Sequence, residues 1–304
     1  MQISTTQALT WSPITLSALA EYTAVWQRNC VKSADYAPGN LYLWNDTYHQ
    51  MIARVGNHIL VRTTEDGVKF CYLFPVGNGD PTPAIEALLA EAKQQNERLT
   101  LIGVTEAQLS TIPAPLRERF TVSETRDFAD YIYTAESLAT LSGKKLHGKR
   151  NHINAFSAAH DWQIHPLTPA DFPACRAILS AWGEASESYS LEERAAIFRA
   201  FEAFDELSLS GAVLTVGDVA IAFTVGEMLG KDTLCVHFEK SLPAWRGAYP
   251  VINREFVRMM RERHPDLAFV NREDDMGLEN LRAAKLSYRP HTILQKFALH
   301  ARDL

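Results

Sequence analysis

The sequence predicts an α+β fold made of two tandem domains, each a mixed β-sheet flanked by helices. The chain has 304 residues, a length that suits two domains of ordinary size. Both halves present the order strand, strand, helix, strand, helix, strand. Cys71 and Cys235 lie 164 residues apart in corresponding strands, and Phe74 and Phe238 have the same separation. An internal duplication accounts for both the shared order and the shared spacing.

The first half contains four predicted strands and two predicted helices. Residues 65–67 form a hairpin turn signal, and Ile85, Leu88, Leu89 and Ala92 recur on one helical face. Pro113 and Pro115 weaken the second helix. The strands are expected at 59–64, 69–74, 99–104 and near 128–133, and the helices at 83–96 and around 106–119.

The second half repeats this pattern with one additional strand before its first helix. Gly217-Asp218 between two apolar runs is a strong hairpin signal, and Ile252, Phe256, Met259 and Met260 form a helical stripe. The strands are expected at 212–216, 219–227, 233–239, 267–271 and 291–299, and the helices at 249–263 and 278–285.

Composition and charge narrow the class of protein. Lys and Arg total 30 against 36 Asp and Glu, so the formal net charge of −6 argues against a globally basic nucleic-acid binder. No run approaches the ~20 apolar residues of a membrane-spanning helix, and no signal peptide is evident. The four cysteines lack metal-finger spacing, which favours buried free thiols. The expected location is the cytoplasm, with a peripheral position at a membrane as an alternative.

A basic segment joins the two halves. Residues 137–160 contain no Asp or Glu, and their predicted helix carries Lys144, Lys145, Lys149 and Arg150. One interpretation is a surface that binds the phosphate of a donor or a lipid headgroup, and the other is a solvated amphipathic connector. The predicted boundaries are 1–135 for the first domain, 136–160 for the basic connecting helix and 161–304 for the second, catalytic domain.

Several motifs together resemble one family. The resemblance runs from about Tyr42 to the end of the chain, and the sequence is similar to the DUF2156 family, which is related to the C-terminal domain of phosphatidylglycerol lysyltransferases. The motifs that carry it are 127–133 (DFADYIY), 143–145 (GKK), 149–151 (KRN), 236–240 (VHFEK), 253–256 (NREF), 271–277 (NREDDMG) and 281–290 (LRAAKLSYRP).

The resemblance implies two tandem GNAT-like acyltransferase domains. The best-known relatives move an aminoacyl group from charged tRNA to a lipid headgroup, and they carry a multi-helix membrane domain before the catalytic part. This sequence shows no such segment, so we keep a small amine or hydroxyl acceptor beside the lipid headgroup.

Acyl transfer needs a positioned donor, a proton acceptor and hydrogen-bond donors for the oxyanion. Strand alternation places Cys235, His237 and Glu239 on one face, where His237 or Glu239 is a candidate general base. Glu227 is a second candidate carboxylate, and Tyr288 lies where GNAT enzymes often hold a tyrosine that protonates the leaving group. The alternatives are a hydrogen-bonded sheet histidine, a surface carboxylate and a core aromatic.

The loop after the strand expected at 233–239 and the end of the strand expected at 267–271 contain candidate binding residues. Arg246 and Gly247 precede a helix, a position suited to anions, although the match to the acyl-CoA loop is poor. Asn271, Arg272 and Glu273 end a strand and are candidates for substrate binding. Asp274 and Asp275 suit a helix N-terminus, and we expect no metal site because no further ligand lies at clear spacing.

These observations favour a transferase that uses aminoacyl-tRNA as donor, with no tightly bound cofactor. An acyl-CoA-dependent N-acyltransferase and a non-catalytic module for an anionic ligand are the alternatives, and the oligomeric state is left open. Convergence of Glu239, His237 and Arg246 on one pocket would favour the enzyme. The first domain has Pro75 at the position corresponding to Glu239, which favours a structural or recognition role for that domain.

Overall fold

The chain forms two compact units. A computed structural model describes residues 8–29, 31–65, 69–185 and 190–303. Unit 1 consists of the chain up to Ala129 and from Leu294 onward, and unit 2 consists of Asp130–Ile293. Within the described residues, no helix has the length and apolar character needed to cross a membrane.

Unit 1 is built on an eight-stranded sheet with helices packed against it. The sheet has the order β1-β2-β3-β4-β6-β15-β7, with β5 paired to β3. Its strands are β1 (Ser12–Pro13), β2 (Met51–Val55), β3 (His58–Glu65), β4 (Lys69–Leu73), β5 (Val76–Gly77), β6 (Thr100–Thr105), β7 (Phe120–Glu124) and β15 (Lys296–Ala301). Its helices are α1 (Leu16–Trp26), α2 (Pro38–Leu43), α3 (Asn45–Tyr48), α4 (Thr82–Gln94), α5 (Glu106–Thr111) and α6 (Ala114–Arg117).

Unit 2 is built on a seven-stranded sheet of order β14-β8-β13-β12-β11-β10-β9. Its strands are β8 (Asp130–Thr134), β9 (Trp162–Pro166), β10 (Ser210–Val216), β11 (Val219–Leu229), β12 (Thr233–Ser241), β13 (Phe269–Asn271) and β14 (Thr292–Leu294). Its helices are α7 (Ala135–Thr140), α8 (His147–Ala159), α9 (Phe172–Ala185), α10 (Leu191–Glu202), α11 (Ala248–Arg263) and α12 (Glu279–Leu286).

The two sheets share one topology, as the repeat predicts. Cys71 lies in β4 and Cys235 in β12, and each of these strands is followed in its sheet by a parallel neighbour, β6 or β13. The predicted fold class, two mixed sheets flanked by helices, is therefore confirmed.

The two units exchange their last strands. The strand that ends the first half, β8, pairs with β13 of unit 2, whereas β15 at the end of the chain pairs with β6 and β7 of unit 1. The predicted boundaries of 1–135, 136–160 and 161–304 therefore differ from the units observed. A strand's residue pattern specifies a sheet environment but does not specify which of two similar sheets the strand joins.

Two predicted elements are interrupted. The single strand expected at 291–299 is divided at Gln295 into β14 and β15, which belong to different sheets. The helix expected around 106–119 becomes α5 and α6, and Pro113 lies between them. Cys30 and part of the hairpin turn predicted at 65–67 lie outside the described residues.

The core of unit 2 lies between α7, α8, α11 and one face of the sheet. Helix α11 buries Val251, Ile252, Phe256, Val257 and Met260, which include most of the predicted apolar stripe. Leu234 and Val236 of β12 belong to the same cluster. This packing fixes β12, the strand that carries the candidate catalytic residues.

A chain that ends after Leu294 is expected to lose unit 1 and keep the sheet of unit 2. The missing β15 lies between β6 and β7, and loss of a whole inner strand exceeds the roughly 5–15 kcal/mol that stabilises a domain. Limited proteolysis with mass spectrometry would show rapid cleavage within residues 8–129 and protection of 130–293. A chain ending after Ala301 is the control, and equal protection of both units in the shorter chain would contradict the exchange.

Candidate functional site

A gap between two parallel strands organises the candidate site. Strands β12 and β13 pair only from Thr233 to Cys235 and from Phe269 to Asn271. Beyond these three pairs, β12 continues to Ser241 while β13 has ended. The edge of β12 that faces β13 is therefore without a ladder partner in β13 over its second half, and we call this gap between the two strands the cleft.

A β-bulge at His237 divides the polar side chains of β12 between the two faces of the sheet. Val236 pairs with Gly226 and Phe238 pairs with Val225, so His237 is the extra residue. The bulge shifts the alternation by one position. The expectation that Cys235, His237 and Glu239 share a face is therefore wrong for Glu239, which lies on the face covered by α11.

The first group of polar side chains surrounds Glu239 on the α11 face. Its carboxylate, 8% exposed, accepts hydrogen bonds from Asn253 Nδ2 at 3.1 Å and from Arg272 at 3.1 Å. Arg272 lies 5.0 Å from the ring centre of Tyr288, and Lys149 Nζ lies 3.9 Å from that centre. Two cations thus flank one buried aromatic ring beside a single carboxylate.

This arrangement leaves positive charge in excess. Burial lowers the pKa of Lys149, the nearby Arg272 lowers it further, and Glu239 acts in the opposite direction. Burial also acts against the charged form of Arg272, but Glu239 holds the pKa of its guanidinium above the ordinary value. Among the described residues, Lys149 has no carboxylate within ion-pair distance, so an anionic ligand group would be stabilised here.

The second group surrounds His237 on the opposite face. His237 Nε2 lies 3.0 Å from Glu227 Oε1, and Nδ1 lies 2.8 Å from Glu273 Oε1. Cys235 Sγ lies 3.8 Å from His237 Nδ1 and 3.7 Å from the Glu273 carboxylate. The imidazole is fully buried, and Glu273, 23% exposed, is the member that reaches furthest towards solvent.

Cys235 and the two carboxylates shift the pKa of His237. Burial alone would lower the pKa of His237, but Cys235, Glu227 and Glu273 raise it well above its ordinary value. Burial raises the pKa of the Cys235 thiol to about 12. These shifts favour a charged imidazole between two carboxylates and a protonated Cys235 thiol at neutral pH.

The loop after β13 supplies one residue to each group, and α12 holds this loop in place. Lys285 Nζ donates to the carbonyl oxygens of Arg272, at 2.7 Å, and Asp274. Glu273 adopts a left-handed conformation with φ of 57°, and its N–H donates to Asn271 Oδ1 at 2.7 Å. A non-glycine residue at positive φ is a strained conformation that persists only when its surroundings fix it.

The remaining contacts of the loop differ from the expected helix cap. Helix α12 begins at Glu279, so Asp274 and Asp275 precede it by several residues. Asp275 accepts hydrogen bonds from Tyr131 and, at 2.8 and 2.9 Å, from Arg282. Asn271 donates to Asp130 at 2.9 Å and so lies beneath the loop rather than in the cleft.

The basic segment divides between the site and the surface. Lys149 reaches the Glu239 group, whereas Lys144 and Lys145 are exposed in a short 3₁₀ turn. Arg150 donates to the carbonyl oxygens of Leu141 and of Gly143, the latter at 2.8 Å, so it closes the preceding turn.

The loop before α11 does not join the two groups. Arg246 is exposed, and Glu239 and His237 lie on opposite faces of the sheet, so the convergence that would favour the enzyme is not found, which weakens that interpretation. Gly247 has φ of 98°, and a Cβ there would lie 3.1 Å from His152 O and 3.2 Å from Phe156 Cβ. Close packing against α8 therefore accounts for this glycine.

Several residues of the site gave no signal in the sequence beyond their place in the family-like motifs. Asn253, Lys285, Asp130 and Tyr131 reach the two groups from α11, α12 and β8. An Asn within an amphipathic helix and a Lys within a short helix usually face solvent. Buried polar residues inside the family-like motifs were the one available clue.

Unit 1 has the corresponding strands but fills the gap between them. The buried hydroxyl of Tyr36 accepts from the Phe74 N–H at 3.2 Å and donates to Gly103 O at 3.2 Å. Phe74 follows β4, and Gly103 lies in β6. A single side chain thus bridges the two strands in unit 1, and the described residues show no such bridge between β12 and β13.

The shared topology and the gap between β12 and β13 define a tandem GNAT-like protein. The chain belongs to the family "Phosphatidylglycerol lysyltransferase, C-terminal", whose profile matches residues 28–300. The predicted resemblance to DUF2156 is confirmed.

Similar proteins extend over most of the chain. A conserved protein of unknown function from Bacteroides thetaiotaomicron is 34% identical, with a TM-score of 0.88 over 97% of this chain and 100% of that one. L-PGS from Bacillus licheniformis shares the fold at 12% identity, with a TM-score of 0.70 over 96% and 94% of the two chains. An uncharacterised Mycoplasmoides gallisepticum protein, MYCGA3080, is 28% identical over 173 residues, which span 55% of this chain and about half (54%) of that protein.

Gly247→Ala is expected to destabilise the protein more than Gly217→Ala does. Both glycines have positive φ, but only Gly247 has neighbours where a Cβ would be placed. We expect a loss of about 1 kcal/mol in the free energy of unfolding for Gly217→Ala and of about 2–4 kcal/mol for Gly247→Ala. Urea unfolding measures both, and equal losses would contradict the packing role.

Tyr36→Phe is expected to loosen the junction between β4 and β6. The change leaves the Phe74 N–H and the Gly103 carbonyl without their shared partner, at a cost of about 1–3 kcal/mol. Amide hydrogen exchange at Phe74 should accelerate. Tyr22→Phe removes a hydrogen bond to the Tyr36 carbonyl and is the control, since it leaves the strand junction intact. Unchanged exchange at Phe74 in Tyr36→Phe would show that the hydroxyl does not close the gap.

Proposed function

We propose that this protein is an aminoacyltransferase that moves an activated aminoacyl group from aminoacyl-tRNA to a lipid headgroup or a small amine or hydroxyl. The observation that carries the proposal is the open end of the β12–β13 ladder, which has cations on one face and linked carboxylates on the other. A transferase of this kind needs both anion stabilisation and proton transfer at one place.

The α11 face suits the donor. On this face the two positive charges of Lys149 and Arg272 are balanced by one carboxylate, that of Glu239. The face therefore favours a phosphate or the oxyanion that forms on the ester carbonyl. The unpaired edge of β12 offers backbone N–H groups to the same oxyanion. Tyr288, a candidate for protonating the leaving group, is buried between the two cations, and burial raises the pKa of its hydroxyl, which remains a proton donor at neutral pH.

The opposite face suits the acceptor. Glu273 takes the proton from the attacking hydroxyl or amine while the new bond to the ester carbonyl forms. His237 holds this carboxylate from behind, and Glu227 fixes the other ring nitrogen. Collapse of the tetrahedral intermediate then breaks the ester bond, and the 3′-oxygen of the donor is protonated as it leaves. In this scheme His237 and Glu227 position Glu273 and do not touch substrate.

The exposed part of the basic segment suits a large polyanion. Lys144 and Lys145 lie close in the chain to Lys149, which reaches the cleft. A tRNA backbone or an anionic membrane surface would be attracted by such a group. A cytoplasmic protein that visits the membrane surface is consistent with both partners.

The acyl-CoA alternative has weaker support. Gly247, in the loop before α11, packs against α8, and Arg246 is exposed. The binding-module alternative gains from the separation of Glu239 and His237, because a non-catalytic site needs no proton acceptor. Both alternatives are outcomes of the experiment that follows.

A donor screen tests the proposal. Labelled aminoacyl-tRNAs and acetyl-CoA are each incubated with the protein and with cell lipids or amine metabolites. We expect transfer from aminoacyl-tRNA. Transfer from acetyl-CoA alone would support the acyl-CoA alternative, and retention of a donor without transfer to any acceptor would support a binding module.

Two carboxylate variants test which face of the sheet binds the donor and which face accepts the proton. Glu273→Gln should lower kcat by about 10²–10⁴, since the amide cannot accept the proton. Glu239→Gln frees Arg272 from its partner and should mainly change KM for the donor. Glu262→Gln, at an exposed position of α11, is the matched control. Full activity in both site variants would contradict the assignment of the cleft.

A further inference from the structure

Three potential metal ligands meet on the face of the sheet opposite α11. Cys235 Sγ, His237 Nδ1 and a Glu273 carboxylate oxygen all lie within 4.8 Å of one another, and the described residues contain no other such group. Cys235 and His237 are buried, and Glu273 extends towards the cleft. The three come from one strand and the loop beside it, so the sheet itself sets their separation.

The donor set favours zinc over harder cations. A thiolate and an imidazole are ligands that Zn²⁺ accepts readily, whereas Mg²⁺ and Ca²⁺ require oxygen ligands. Thiolate and carboxylate together carry two negative charges, which a divalent cation neutralises. Metal binding would displace two protons, the one on the Cys235 thiol, which burial otherwise retains, and the one on His237 Nδ1.

The distances are close to those of a tetrahedral site. Zinc–ligand bonds of ~2.0–2.3 Å at tetrahedral angles separate the ligand atoms by about 3.3–3.6 Å. The observed separations are 3.8 Å for Cys235 to His237, 3.7 Å for Cys235 to Glu273 and 2.8 Å for His237 to Glu273. Only the last must widen, by about 0.5 Å, and Glu273 is the partly exposed member that can turn.

The outer partner of the histidine also fits. Glu227 Oε1 lies 3.0 Å from His237 Nε2, the ring nitrogen not used for the metal. Metal-binding histidines usually donate this second N–H to a carboxylate, which fixes the tautomer and strengthens the ligand. The arrangement therefore provides three protein ligands and an oriented imidazole.

We propose that Cys235, His237 and Glu273 bind one Zn²⁺ ion. This site goes beyond the proposed transfer and does not depend on it. Zinc and the acceptor's proton compete for the Glu273 carboxylate. The zinc-loaded protein therefore cannot use Glu273 as the proton acceptor, and zinc acts as an inhibitor of the proposed transfer.

Direct metal analysis of the full chain tests the site without donor or acceptor. The protein is equilibrated with Zn²⁺, dialysed against metal-free buffer and measured by inductively coupled plasma mass spectrometry. We expect one zinc per chain for the wild type and for Cys175→Ser, which changes a buried thiol outside the cluster. Cys235→Ser and Glu273→Gln should each bind zinc at least about tenfold more weakly.

Cobalt provides a spectroscopic signature of the ligands. Co²⁺ bound to the wild type should show a thiolate-to-metal charge-transfer band that Cys235→Ser lacks and Cys175→Ser retains. Glu273→Gln changes a partly exposed loop residue, so it keeps the test valid if Cys235→Ser fails to fold. Zinc absent from the wild type, or held equally by Glu273→Gln, would overturn the proposal whatever the outcome of the donor screen.

Discussion

The early end of the parallel ladder between β12 and β13 is the constraint on which the site depends. Three residue pairs hold the strands together, and the next residues of β12 have a neighbour on one side only. The bulge at His237 lies at this point and sends His237 and Glu239 to opposite faces. One local departure from regular pairing thus creates both the cleft and its two chemically different sides.

The exchange of strands between the halves contributes directly to this site. Strand β8 lies beside β13 and carries Asp130, Tyr131 and Tyr133. Asp130 holds Asn271, Tyr131 holds Asp275, and the Tyr133 hydroxyl donates to the Lys285 carbonyl at 2.7 Å. The end of the first half therefore supports the loop that presents Arg272 and Glu273. A strained loop conformation remains fixed because buried polar contacts hold it from three elements.

Local sequence pattern predicted the elements well and their assembly less well. The hairpin at Gly217-Asp218 and the stripe of α11 follow from turn chemistry and helical periodicity, which are properties of neighbouring residues. The break at Gln295 and the exchange of β8 and β15 depend on which sheet edge is free, and no single segment records that. The alternation rule misplaced Glu239 because a bulge changes the period by one residue without altering composition. The resemblance, by contrast, identified the motifs that surround the cleft before their geometry was known.

The comparison of the two units explains why polar chemistry is concentrated in one of them. Both sheets present a parallel strand pair at the same place, so both were capable of opening a cleft. In unit 1 the Tyr36 hydroxyl satisfies the backbone groups at the junction, and Pro75 occupies the position that corresponds to Glu239. In unit 2 no hydroxyl bridges the described strands there, and buried charges stand around the gap instead. Most of these charges are paired with one another, but the half-buried Lys149 has no carboxylate within ion-pair distance among the described residues. A buried charge without a partner costs free energy, and the anionic ligand that we propose would offset this cost.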